Sequence, residues 1–126
     1  MKIQHDSKTK IRSSNKPVVN RRRVLQQELN RWLPLLIEHF KPEQILLFGS
    51  LANERLNEWS DIDLVVIQKT TLPFFERTKQ ALRLIRPKVG IDLLIYTPEE
   101  FSLLSKERRF VRDEIVAKGT VLYARK

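Results

Sequence analysis

The chain has 126 residues, of which 41% are hydrophobic, enough to build the core of one small domain. It contains no cysteine, which excludes a disulfide framework and a thiolate metal site. Its net charge of +9 is unevenly placed: residues 1–23 carry eight Lys/Arg and one Asp, a net of +7, and the rest is close to neutral. Residues 1–20 show no apolar period and read as a basic, disordered tail ahead of a domain over 21–126. Such a tail can attract nucleic acid or an acidic partner, or stay a solvated extension. The N-terminus lacks the apolar centre of a secretion signal, and no apolar run approaches the roughly 20 residues of a membrane span. A cytoplasmic location with no membrane contact is expected.

Asn20 is placed to cap a helix over Arg21–Phe40, where Leu25, Leu29, Trp32, Leu33, Leu36, Ile37 and Phe40 form one apolar stripe. Pro34 inside it predicts a kink or a break. Gln44–Phe48 reads as a first strand, ended by a Gly49-Ser50 turn that starts a short helix to Glu54. After a loop at Asn57–Ser60, Asp61–Ile67 is rich in β-branched residues and reads as a second strand. Leu72–Ile85 is a helical stretch with Phe75, Thr78, Leu82 and Ile85 inward, and Lys88–Tyr96 is a third strand. Thr97-Pro98-Glu99-Glu100 opens another helix, with Pro first and Glu in the first turn. A helix near Arg109–Lys118 stops at Gly119, and Thr120–Tyr123 completes the chain as a strand. The order predicts an α/β fold, a small mixed β-sheet with helices packed on it.

The informative stretch is Leu46–Ile67, in which Gly49-Ser50 is followed after ten residues by Asp61-Ile62-Asp63. Residues two apart on a strand share a face, so Asp61 and Asp63 project together while Ile62 and Leu64 point the other way. Carboxylates that close repel unless a cation lies between them, and Mg2+ favours such hard oxygen ligands while sharing them with phosphates. Asp92, in the third strand, is the candidate third carboxylate. Burying it among Val89, Ile91, Leu93, Leu94 and Ile95 calls for a cation or a hydrogen-bond partner. The alternative is an edge-strand Asp in water.

The GS-x10-D-x-D pattern resembles the minimal nucleotidyltransferases of the DNA polymerase beta superfamily, from about Ile45 to Glu100. Four such positions recur by chance in about one chain per thousand of this length, so the combination outweighs a plain Gly-Ser turn. The resemblance implies a polymerase-beta-like nucleotidyltransferase fold. It also implies that Asp61, Asp63 and Asp92 bind two Mg2+ ions, that Asp92 acts as base, and that Gly49 and Ser50 hold the triphosphate of ATP. The implied reaction moves a nucleoside monophosphate to a hydroxyl and releases pyrophosphate. Members of the family pair with helical HEPN-type ribonuclease toxins as antitoxins, some of them attaching AMP to a tyrosine of the toxin. That makes a HEPN-type protein the expected partner, with a homo-oligomer and nucleic acid at the basic tail as the other options. A contact-only antitoxin and a nucleotidyltransferase acting on RNA ends are the competing functions.

This chain departs from the family at Leu51, where a basic residue is usual, and at Glu54, where a further glycine is usual. Arg55, Lys69 or Lys88 could supply the missing cation, though each also reads as a surface charge. His5 and His39 are isolated and read as neither ligands nor bases. Lys106–Arg112, KERRFVR, reads as a solvated helix end rather than a binding patch.

Overall fold

Four short apolar runs become one sheet in the computed structural model, which describes residues 4–53 and 55–126. The elements are α1 (Gln4–Phe40), β1 (Gln44–Phe48), α2 (Ser50–Asn53), β2 (Ile62–Ile67), α3 (Phe74–Ile85), β3 (Ile91–Tyr96), α4 (Pro98–Glu107), α5 (Val111–Val116) and β4 (Thr120–Ala124). The strands lie in the order β3-β2-β1-β4. β1 runs antiparallel to both β2 and β4, and β2 runs parallel to β3. The sheet is therefore mixed, as the element order predicts. The parallel pair is the one joined through a helix, α3, because parallel strands need a long crossover.

The two-residue period of the strands divides the core into two layers. Ile45, Leu47, Ile62, Leu64, Val66, Leu93 and Ile95 face Leu25, Leu29, Trp32 and Leu36 of α1 and Ala81 and Ile85 of α3. Leu46, Phe48, Val65 and Ile67 face Val111 and Ile115 of α5, with Phe101 and Leu104 of α4 at the margin. Leu25, Trp32 and Leu36 are completely buried; burying a side chain of this size is worth about 2–3 kcal/mol. The α1 stripe thus anchors the helix to the sheet.

Three expectations change. The helix placed at Asn20 begins at Gln4, so Asn20 is an interior helical residue, not a cap. Residues 1–3 of the expected tail lie outside the described residues. Once the Leu25 stripe has formed the helix, further residues add hydrogen bonds without a new nucleus, and the extension runs on through Pro17. The helix also continues through Pro34, so of the kink or break expected there the break does not occur. Pro34 and Asn30, whose carbonyl loses its partner there, are both exposed, so water can satisfy that carbonyl. Phe75, expected inward, is exposed, and the inward row of α3 is Arg77, Ala81 and Ile85.

Arg77 is buried because the free edge of β3 and the loop before α3 each offer it a carbonyl. It donates to Leu72 O at 2.8 Å and to Ile95 O at 3.0 Å, and pairs with Glu100 at 2.7 Å. Glu100 in turn closes the capping box with Thr97 that the sequence predicts. α5 is wound as a π-helix, with the Ala117 amide donating to Arg112 O five residues back. Among the described residues no helix is long and apolar enough to cross a membrane.

Candidate active site

β2 places Asp63 at its second position, opposite Phe48 of β1 and level with Asp92 of β3. Partners in register share a face, so Asp63 and Asp92 stand side by side at one end of the sheet. Ile62 and Leu64, between and beside them in sequence, point into the α1 layer and are fully buried. Asp61 precedes β2 instead of opening it as expected. Asp92 is exposed, so the burial argument for it does not hold. It lies on the edge strand and gains its neighbour from register, without any burial cost.

Two glycines make room for these carboxylates. A Cβ built on Gly49 would overlap Oδ2 of Asp63, and one built on Gly90 would overlap the carboxylate of Asp61. Gly49 also has φ +76°, in the left-handed region that costs other residues about 1–2 kcal/mol. The Gly49-Ser50 turn therefore borders the same space as Asp63. The amides of Ala52 and Asn53 both donate to Gly49 O at 3.1 Å, which starts α2 tightly at Ser50.

Asp63 is half-buried, and its pKa is pushed up to about 6, first by burial, then by the charge of Asp92, then by that of Asp61. An all-oxygen donor set under mutual repulsion, in space kept clear by glycine, fits a hard divalent cation such as Mg2+. Among the described residues no three acidic or histidine side chains are already drawn into a closed ligand group. Asp61 is the outlying member: Arg21 Nη2 lies 3.5 Å from its Oδ1.

Arg21 is the functional candidate that the sequence hides. It stands in a run of three arginines, and nothing local marks it out. Of the cations expected to replace a basic residue at Leu51, Arg55, Lys69 and Lys88 are all exposed, and none pairs with these carboxylates. Lys69 follows the far end of β2, away from Asp61. Leu51 is buried in the α1 layer, which explains its apolar character; Glu54 lies outside the described residues. His39 is exposed in the last turn of α1, and the side chain of His5 lies outside the described residues. In Lys106–Arg112 the charged residues are exposed, as expected of a solvated helix end. Its Phe110 packs edge-on against Phe48 at 6.1 Å between ring centres.

Residues 30–126 match the family Polymerase beta, Nucleotidyltransferase. A crystal structure of a protein from Sulfolobus solfataricus, provisionally assigned as a nucleotidyltransferase, resembles this one with a TM-score of 0.64 and 17% identity, over 87% of this chain and 89% of that one. A crystal structure of a toxin–antitoxin with AMP-PNP has a TM-score of 0.50 and 22% identity, over 77% of this chain and 73% of that one. At these identities the likeness is one of fold. No curated protein matches the chain significantly. The family match spans the whole sheet, both faces of the core and all three carboxylates, and on that ground the chain belongs to the polymerase beta nucleotidyltransferase family.

Proposed function

We propose that this chain is a Mg2+-dependent nucleotidyltransferase that moves AMP from ATP to a hydroxyl on a partner protein. The partner in this reading is a HEPN-type ribonuclease toxin, and the chain is its antitoxin. The observation that carries the transferase reading is the register that sets Asp63 beside Asp92, with Asp61 two residues ahead and Gly49-Ser50 alongside. The pairing with a toxin draws on the fold shared with a toxin–antitoxin that holds AMP-PNP.

Asp61, Asp63 and Asp92 would hold the metal, which when bound neutralises charge on the transferring phosphate and on the leaving pyrophosphate. Gly49 lets the backbone approach the triphosphate closely. Asp92, exposed on the edge strand, can be reached by an acceptor hydroxyl from outside the sheet. It takes the hydroxyl proton while the acceptor oxygen bonds to the α-phosphorus and the bond to pyrophosphate breaks. Gly90 keeps room for Asp61 beside the end of β3.

The test is a labelling gel with α-labelled ATP, Mg2+ and the candidate toxin, using the wild type and an Asp61→Ala/Asp63→Ala variant. A labelled toxin band that vanishes with the variant is the expected result. Undiminished labelling by the variant would sink the reading. In one competing reading Arg21, not metal, faces Asp61, and the antitoxin acts by contact alone. A folded double variant that still protects cells from the toxin would establish that alternative, and a labelled nucleic-acid band would point to RNA ends.

A further inference from the structure

Arg21 reaches from α1 around the end of the sheet to the carboxylates. Its Nε donates to the carbonyl of Ser60 at 2.8 Å, and its Nη2 lies 3.5 Å from Oδ1 of Asp61. The Ser60 carbonyl is a fixed anchor. Ser60 is buried, its amide donates to Asn57 O at 3.1 Å, and its hydroxyl accepts from the Asn57 amide at 2.9 Å. The guanidinium is therefore held along its Nε/Nη2 edge, with Nε on Ser60 and Nη2 turned toward Asp61. Among the described residues no other cation pairs with Asp61, Asp63 or Asp92.

The contact with Asp61 is too long and too exposed to account for this arrangement through stability, since such pairs contribute little. A guanidinium carries five donors, and here one is committed to Ser60 and one rests loosely on Asp61. Phosphate sharing a divalent cation with Asp61 would have an oxygen within about 4 Å of that carboxylate, because each cation–oxygen bond is about 2 Å. That is the region Nη2 of Arg21 already occupies. A planar fork also matches phosphate oxygens better than a point charge does.

We infer that Arg21 is a phosphate-positioning residue: it faces Asp61 before metal binds and holds the polyphosphate of the incoming nucleotide once Asp61 is taken up by metal. The inference rests on the transferase reading and adds to it a cation supplied by the N-terminal helix, outside the Gly-Ser to Asp-x-Asp stretch.

The test is calorimetric titration of the full chain with Mg2+ plus a non-hydrolysable ATP analogue and, separately, with magnesium pyrophosphate, which has no base. Arg21→Gln keeps a donor for the Ser60 carbonyl and removes the charge. It should weaken both ligands roughly tenfold to a hundredfold, the range of a lost charged hydrogen bond, and leave the melting temperature nearly unchanged. Unchanged or tighter binding by Arg21→Gln would overturn the inference, since the charge would then be idle or merely compete for Asp61. Loss confined to the ATP analogue would overturn it too, by assigning the contact to the base or ribose. Should Arg21→Gln fail to fold, Arg21→Lys decides, with weaker binding of both ligands supporting the fork and equal binding refuting it. A wild type that binds neither ligand removes the transferase reading and this inference together, whereas a wild type that binds normally beside an equally good variant removes the inference alone.

Discussion

Asp63 is half-buried between two other carboxylates, and its pKa near 6 measures how much burial and then the charges of Asp92 and Asp61 disfavour its ionisation. The unfolded chain has no such neighbours, and there the group titrates near 4. Between about pH 4 and 6 the folded state holds more protons, so stability falls as pH rises through that window. The nominal shift of about two units corresponds to roughly 3 kcal/mol, and exposure to solvent reduces it to about 1 kcal/mol. Asp63→Asn keeps the shape and removes the charge. It should raise the melting temperature at pH 7 by about 3–5 °C, with the gain shrinking to nothing as pH falls below about 4, while transfer activity is lost. Thermal melts across pH check this; a gain that does not depend on pH would show that charge repulsion is not the cause. A site that costs stability is what a site built for a cation should look like when the cation is absent.

At the scale of elements, α3 and β3 show how polarity misleads a sequence reading. Helical period places Phe75 inward, yet the buried row is Arg77, Ala81 and Ile85. Arg77 is buried because it completes the hydrogen bonding of the Leu72 and Ile95 carbonyls and pairs with Glu100. The same pairing, ahead of the opposing effect of burial, holds the Glu100 carboxyl below its ordinary range. Arg77→Met fills much of the space but leaves two carbonyls without the guanidinium and the Glu100 carboxylate with only the Thr97 amide. Equilibrium denaturation should show a loss of about 3 kcal/mol, and a loss under about 1 kcal/mol would mean that water replaces the guanidinium. Glu28 of α1 does comparable work on the other side of α3. It accepts from Arg31 and from the Lys88 amide, and Arg31 reaches on to Ile85 O at 2.7 Å. The Arg31 hydrogen bond is the main reason the Glu28 carboxyl titrates near 2. Its contribution to stability is present above about pH 4.5 and disappears as pH falls toward 2.

For the whole molecule, the two core layers hold the sheet rigid while its carboxylate end stays open. Divalent metal that binds only the folded protein should therefore stabilise it, by about 2.7 kcal/mol at a hundred times the dissociation constant. Scanning fluorimetry should show a melting temperature that rises with Mg2+ at pH 7. The rise should be smaller below pH 6, where Asp63 holds a proton, and absent in Asp61→Asn/Asp63→Asn. A shift that persists in the double variant would place the cation elsewhere. Much of this architecture was legible in the chain itself. Local rules suffice for Gln44–Phe48, for the Thr97–Glu100 cap, for the apolar stripe of α1 and for the Gly-Ser and Asp-x-Asp spacing, because each depends on residues a few positions apart. Only the tertiary structure decided that Asp92 sits on an edge strand level with Asp63, that Arg77 belongs inside, and that Arg21 meets Ser60 from 39 residues away. Strand order, register and the reach of a long side chain are contacts between distant parts of the chain, and a sequence period carries no information about them.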